Sequence, residues 1–219
     1  MTYSVKEAFY TLQGEGAQTG RAAVFLRFAG CNLWSGLERD RPKAVCQFCD
    51  TDFVGTDGEN GGKFREPEAL AELVTSIWCA NAEAGERPGG RRYVVCTGGE
   101  PLLQLDPPLI AALHAQGFEV AVETNGTVAA PEGLDWICVS PKANAPLVLT
   151  QGSELKLVYP QDEPEAQPER FTELDFQHFF LQPKDDPHAA RNVQAAAEYC
   201  LKHPRWRLSL QTHKLTGLP

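Results

Sequence analysis

Short apolar runs alternate along the chain with segments of helical periodicity. Residues 22–28 form an apolar run with one charge near its end, which is typical of a buried strand. At 66–77 a proline and acidic residues begin a segment whose apolar positions share one helical face, and the polar stretch 81–90 ends it. Further strands are predicted at 93–96, 118–122, 135–139, 154–159, 176–181 and 206–211, and further helices at 107–116 and 189–203. This alternation predicts an α/β fold with a mainly parallel sheet and crossover helices.

A long polar stretch, 31–62, follows the strand predicted at 22–28. It is rich in Gly, Asp and Arg and has no sustained apolar period. Loops of this length are usually functional or disordered, so we expect the stretch to carry function. A chain of 219 residues suits one domain, and we therefore treat 1–219 as a single domain and look for one site.

Charge and composition narrow the class of protein. The chain has 29 acidic and 20 basic side chains, and a net charge of −9 disfavours binding to a phosphate backbone, so no nucleic-acid partner is expected. No apolar run approaches the roughly 20 residues that cross a bilayer, and the first residues lack a signal sequence, which predicts a cytoplasmic protein without a membrane partner. Seven cysteines, an odd number, do not fit a secreted disulfide framework and are interpreted as thiols or metal ligands.

Polar side chains cluster just after the predicted strands. Ligands of parallel α/β folds gather at the carboxyl ends of the strands, so these side chains should converge on one rim. They are Cys31, then 97–100, then 123–125, then 140–142, and later Gln182 and 211–213.

Three cysteines form the strongest chemical pattern. The CxxC pair Cys46 and Cys49 suits zinc, disulfide exchange or iron–sulfur clusters alike. Cys31 adds a third ligand, and no second CxxC or close histidine pair completes a zinc set. Three thiolates on a [4Fe–4S] cluster leave one iron free to chelate the amine and carboxylate of S-adenosylmethionine (SAM). A zinc site with a distant fourth ligand, such as His114 or His213, stays open. The other four cysteines are predicted to be core residues: Cys79, Cys96, Cys138 and Cys200.

A second motif resembles a known family. Gly98-Gly99-Glu100-Pro101 follows a strand and is similar to the GGEP segment of radical SAM enzymes, in which the exposed backbone of the glycines and the acid bind the SAM ammonium. Fourteen residues, rather than the family's usual three, separate Cys31 from Cys46. Some members of one branch, the 7-carboxy-7-deazaguanine synthases, carry such an enlarged cluster loop. The whole chain resembles that branch, with matching segments at 9–16, 27–34, 49–53, 123–126, 140–142 and 211–214.

The resemblance implies a reaction and a set of cofactors. It implies conversion of 6-carboxy-5,6,7,8-tetrahydropterin to 7-carboxy-7-deazaguanine, with ring contraction and loss of ammonia, by a carbon–nitrogen lyase of queuosine and 7-deazapurine biosynthesis. The radical would remove the hydrogen on C6, and SAM would be regenerated. The resemblance further implies Mg²⁺, a homodimer, and an incomplete (β/α) barrel with a modified radical SAM core. A flavodoxin-like donor of low-potential electrons is expected.

Roles for individual residues combine chemistry with the resemblance. The pterin presents N–H donors beside a carbonyl, and the carboxylate of Glu123 can accept two such bonds. The fork of Arg27 matches the substrate carboxylate. The resemblance puts Mg²⁺ on the Thr51 hydroxyl, with Asp50 and Asp52 as competing oxygen ligands.

The resemblance also implies two sets of ligand-binding residues. Gln13, Gly14 and Glu15 are expected before the first strand, as a polar lid over the substrate. The SAM set is Gly98, Gly99, Glu100, Ser140, Lys142 and Gln182, and the substrate set adds Leu12, Thr97, Gly99, Asn125, His213 and Pro219.

Two other functions remain open from the sequence. A glycyl-radical-enzyme activase also carries a cysteine triad on a small α/β core but acts on a protein substrate. A zinc-stabilised binding module would use the same cysteines without catalysis.

Overall fold

The computed structural model describes residues 2–82 and 91–219, and within them nine strands form one sheet. The strands are β1 Tyr3–Leu12, β2 Ala22–Phe28, β3 Gly62–Phe64, β4 Arg92–Gly98, β5 Phe118–Thr124, β6 Trp136–Val139, β7 Gln151–Tyr159, β8 Asp175–Pro183 and β9 Trp206–Leu208. The helices are α1 Pro67–Asn81, α2 Pro107–Ala115, α3 Ala189–Lys202 and α4 Thr212–Thr216.

The sheet is mainly parallel and open. Its order is β3-β1-β2-β4-β5-β6-β7-β8-β9, in which β2 and β4 to β9 run parallel and β1 pairs antiparallel with both β2 and β3. Helix α1 lies in the connection from β2 to β4, α2 in that from β4 to β5, and α3 in that from β8 to β9. The predicted α/β fold, an incomplete barrel, is confirmed.

Strand β1 was missed in the sequence because its alternation of buried and exposed positions is interrupted. The pairing register of β1 shifts between Val5 and Glu7, where a bulge breaks the two-residue period. Gln13, Gly14 and Glu15 do precede the strand predicted at 22–28, but that strand is the second in the chain, so the three residues lie in the connection from β1 to β2.

Most predicted elements are present, with shifted ends. The strand expected at 206–211 is shorter, α4 was not expected, and 31–62 contains a 3₁₀ helix over Glu38–Lys43. Helix α1 ends at Asn81, and most of the predicted break at 81–90 lies outside the described residues.

The four cysteines predicted to be core residues differ in burial. Cys96 and Cys138 are buried and Cys200 is partly buried, but Cys79 is exposed, so the prediction that Cys79 is a core residue was wrong.

The two faces of the sheet differ in what covers them. Leu26, Cys96 and Val122 pair in register on one face, in the core that includes apolar residues of α1 and α2. Side chains alternate between faces, so the next residue of each strand lies on the opposite, inner face. Among the described residues, no helix has both the length and the apolar character that spanning a membrane requires.

Candidate active site

The inner face of the sheet is polar at the carboxyl ends of its strands. Arg27 on β2 is in register with Thr97 on β4, and Glu123 on β5 with Cys138 on β6, which in turn faces Glu154 on β7. Residues in register on parallel strands share a face, so these side chains form one row. Cys31, Ser140, Lys142 and Gln182 line one cavity together with Thr97 and Glu123, so the predicted convergence on one rim is confirmed.

Two neighbouring cavities open along this row. The first has a volume of about 210 Å³ and the second about 310 Å³. They share a wall, made by Glu15, Asp50, Thr51, Thr97, Glu123 and Gln211.

The first cavity contains the three loop cysteines, Cys31, Cys46 and Cys49. The Cys46 thiol donates a hydrogen bond to the sulfur of Cys49 and, against the effect of burial, lowers the pKa of Cys49 to about 6. Burial raises the pKa of Cys31. The same cavity is lined by Gly98, Gly99, Asn125, Ser140, Lys142 and Gln182.

The donor set fits an iron–sulfur cluster better than a single zinc ion. Among the described His, Cys, Asp and Glu residues, only Glu123, Cys138 and Glu154 form a group of three whose ligand atoms all lie within 4.8 Å of one another. The loop cysteines are thus spread more widely than one zinc ion needs, because Zn–S bonds of about 2.3 Å put sulfurs about 4 Å apart. Neither histidine considered as a fourth zinc ligand lines the cavity of the three cysteines. His114 forms a hydrogen bond with Asp135 at 2.8 Å, and His213 lines the second cavity.

An arginine fastens the enlarged loop to the CxxC segment. Arg41, in the 3₁₀ helix, donates to the carbonyl oxygens of Gln47 at 2.8 Å and Cys49 at 3.0 Å. Its guanidinium lies 4.1 Å from the ring centre of Trp34, which contacts Phe53 edge to face. Sequence reasoning missed Arg41, since nothing in an irregular loop indicates which charged residue turns inward.

The Gly-Gly segment lies directly against the first cysteine. A Cβ on Gly99 would lie 2.2 Å from the Gly30 oxygen and 2.7 Å from the Cys31 Cβ, so only glycine fits. Glu100 corrects an expectation, because its side chain is completely buried and does not line either cavity. Its carboxylate accepts from the Thr124 hydroxyl at 2.7 Å and the Asn125 amide at 2.8 Å, and so holds the segment in place.

The second cavity collects most of the expected substrate residues. They are Leu12, Gln13, Gly14, Glu15, Arg27, Thr97, Glu123, His213 and Pro219. A Cβ on Gly14 would lie 2.3 Å from the His213 Nδ1, so the glycine lets α4 pack closely. The Thr11 hydroxyl donates to a Pro219 oxygen at 3.0 Å. Asn125 and Gly99, by contrast, line the first cavity, so the structure groups them with the cysteines.

Charged partners fix the side chains around the second cavity. The Arg27 Nε donates to Glu7 at 2.7 Å, and Glu7 also lines this cavity. Thr51 lines both cavities. Its competitors Asp50 and Asp52 also line the second cavity, but each is paired with a lysine: Asp50 with Lys214 at 2.8 Å and Asp52 with Lys6 at 2.9 Å.

A buried lysine connects the two central carboxylates. Lys156 on β7 lies 2.5 Å from Glu15 and 2.8 Å from Glu123. Burial alone would raise the pKa of Glu15, but Lys156 outweighs it and the pKa is lowered. Burial raises the pKa of Glu123, and Lys156 opposes this only in part. Lys156 was not predicted; the available signal was its two-residue spacing from Glu154 in a strand, which puts both side chains on one face.

Comparisons with known proteins agree on one family. The 7-carboxy-7-deazaguanine synthase of Caulobacter vibrioides is 65% identical over 219 residues, and that of Bordetella pertussis is 63% identical, each covering 100% of both chains. The crystal structure of QueE from Escherichia coli superposes with a TM-score of 0.68 and 26% identity, covering 96% of this chain and 94% of that one. No protein-family model matches. These likenesses support neither the activase nor the zinc module.

Identity of this degree over the complete chain, together with three cysteines and a Gly-Gly segment in one cavity, leads to a single assignment. The chain belongs to the 7-carboxy-7-deazaguanine synthase family of radical SAM enzymes.

Proposed function

We propose that the chain converts 6-carboxy-5,6,7,8-tetrahydropterin to 7-carboxy-7-deazaguanine, with ring contraction and release of ammonia, and so acts as a carbon–nitrogen lyase in queuosine and 7-deazapurine biosynthesis. One observation carries the proposal: a cavity lined by three cysteines shares a wall with a second cavity lined by Arg27 and Glu123. A radical made in the first cavity would reach a pterin in the second across that wall. The relatives' names, which specify this synthase, support the same product.

The first cavity is proposed to bind the cluster and SAM. Cys31, Cys46 and Cys49 would hold a [4Fe–4S] cluster, which with SAM supplies a carbon-centred radical able to remove the hydrogen atom on C6. The backbone of Gly98 and Gly99 would approach the SAM ammonium, since neither residue has a side chain to block it. Ser140, Lys142 and Gln182, which line this cavity, would bind the rest of SAM.

The second cavity is proposed to orient the pterin. The Arg27 Nε is held by Glu7, so the terminal amino groups of the guanidinium can face the substrate carboxylate. Glu123 would accept the N–H donors of the pterin edge, beside Gln13, Glu15 and His213. Thr51 would give one oxygen ligand to Mg²⁺, because both neighbouring aspartates are paired with lysines.

The remaining expectations concern domain, donor and assembly. The nine described strands share one sheet, which supports a single domain with an enlarged cluster loop at 31–62. A flavodoxin-like donor would supply electrons by contact, and the working unit would be a homodimer.

An anaerobic product assay tests the proposed function. Reconstituted, reduced enzyme with SAM, Mg²⁺ and the carboxypterin is expected to form 7-carboxy-7-deazaguanine, identified by mass spectrometry. Cys46→Ala should abolish the product and the cluster, whereas Cys200→Ser should keep both. Thr51→Val should remove the dependence on Mg²⁺ together with most activity. Failure of the wild-type holoenzyme, with full iron and sulfide, to form this product would refute the proposal.

A further inference from the structure

Lys156 has no role in the expected chemistry, yet it lies at the centre of the site. Its side chain is only 5% exposed, and its Nζ contacts Glu15 and Glu123, both in the wall between the two cavities. A buried ammonium is costly unless it is paired, so its position calls for a reason.

The charges around Lys156 are unbalanced. Four ionisable side chains act on Lys156 directly: Glu15 after β1, Glu123 on β5, Cys138 on β6 and Glu154 on β7. Tyr93 on β4 lies near Glu123 and Glu154, and His213 in α4 lies near Glu15. Three of the four that act directly are carboxylates and Lys156 is the buried cation among them. Glu154 already accepts the amide of Ala17 at 2.8 Å, so the ammonium is shared between the other two.

We propose that Lys156 is a positioning residue that keeps Glu123 ionised and fixed beside the substrate, so that its carboxylate accepts N–H donors. This inference rests on the proposed function of the site. Glu123 Oε1 accepts from Gln13 Nε2 at 3.2 Å and Oε2 from Lys156, and the Cys138 thiol also lies against this carboxylate. A carboxylate has about four lone-pair sites, so it can still accept from the pterin.

Without the ammonium, Glu123 would take up a proton before Glu15 does, because Glu15 still accepts from the side-chain amides of Gln182 and Gln211. Burial raises the pKa of Glu123, and the charges of Glu15 and Glu154 raise it further; Lys156 is the group that opposes them. A protonated Glu123 would place an O–H donor against the N–H donors of the pterin. Substrate affinity would fall at neutral pH and return as the pH rises through the new pKa, because ionisation restores the acceptor.

A double-mutant cycle on the protein tests this inference. Binding of the carboxypterin to reconstituted, unreduced enzyme is measured by calorimetry for wild type, Lys156→Met, Glu123→Gln and the double variant. Each single change is expected to weaken binding by about tenfold or more, since a charge-assisted hydrogen bond is lost. The double variant should bind about as weakly as Lys156→Met alone, because Glu123 is already neutral there. Additive losses would contradict the inference.

Two further measurements separate positioning from general damage. The ratio of the Lys156→Met and wild-type dissociation constants should shrink from pH 6 to pH 9, whereas a loosened fold would give a constant or growing ratio. Lys156→Arg should restore most of the affinity, and Lys63→Met, a change at an exposed lysine of β3, should bind as wild type does. Should Lys156→Met fail to fold, Lys156→Gln takes its place in the cycle.

A substrate-free readout keeps the inference apart from the proposed function. The infrared difference between Lys156→Met and the double variant at pH 7 should contain a protonated-carboxyl band, and the difference between wild type and Glu123→Gln should lack it. Absence of the band from the first difference overturns the inference whatever the substrate is. Wild type that shows the expected infrared pattern but does not bind the carboxypterin would overturn the proposed function instead.

Discussion

Replacing Gly99 by alanine should disturb the contact between the Gly-Gly segment and the first cluster cysteine. The added Cβ would lie 2.2 Å from the Gly30 oxygen and 2.7 Å from the Cys31 Cβ. The Gly30 oxygen cannot turn away freely, because it accepts the amide of Glu100 at 2.9 Å. The strand end after β2 and the segment after β4 must therefore move apart, and Cys31 moves with them.

The size of the effect follows from the cost of overpacking a filled site. Adding a methyl group to a filled site lowers the free energy of unfolding by about 1–3 kcal/mol. For a chain of this length, that loss lowers the melting temperature by roughly 2–12 °C. We expect Gly99→Ala to lose that much stability and to bind less iron and sulfide after anaerobic reconstitution.

Gly62→Ala is the matched control for this prediction. A Cβ at Gly62 would meet only the Phe64 ring, at 3.5 Å, which is an ordinary contact. Calorimetry and iron and sulfide analysis are compared between the two variants. If Gly99→Ala matched Gly62→Ala in both melting temperature and cluster content, the close approach inferred at Cys31 would be wrong.

Three further predictions concern charged side chains. Glu7→Gln should raise the KM for the carboxypterin roughly two- to fivefold with little change in kcat, because Arg27 loses a partly buried ionic partner. The control is Glu119→Gln, which should leave KM unchanged because the pair of Glu119 with Arg21 lies outside both cavities. Asp106→Ala removes the hydrogen-bond acceptor at the start of α2 and the partner of the Tyr3 hydroxyl. It should lower the free energy of unfolding, measured in urea, by about 1–3 kcal/mol, and a loss under about 0.5 kcal/mol would contradict this prediction. Burial raises the pKa of Glu100 above 4.5, so ionising it opposes folding. Wild type should accordingly lose stability relative to Glu100→Gln as the pH rises from about 4 through that raised pKa, as measured by urea unfolding, and a constant difference would contradict the shift.

The sequence predicts the parts of this fold that have a regular hydrophobic period. Helix α1 shows one because Leu70, Val74 and Ile77 are buried on one face, and β4 is a continuous apolar run because it is buried on both faces. Strand β1 has the bulge at Val5 and pairs antiparallel at the side of the sheet, so its pattern follows no single template.

The candidate site was predictable where residues lie in the last positions of a strand or directly after it. That rule located Thr97, Glu123 and Ser140, because the carboxyl ends of parallel strands meet at one rim. It could not find Lys156, which lies within a strand and becomes a site residue only through the register of β7 with its neighbours. Arg41 depends on the fold of an irregular loop, for which the sequence has no period.

The enlarged loop also explains how the two cavities stay aligned. Cys49 lines the first cavity and Thr51 lines both, and two residues span at most about 7 Å of backbone. A cluster on Cys49 and a cation on Thr51 would thus keep a nearly fixed separation, provided that this short segment does not slide. Arg41 fastens it at the Cys49 carbonyl, and lysines pair with the aspartates on either side of Thr51. Loosening any of these contacts should therefore disturb the radical source and the substrate together.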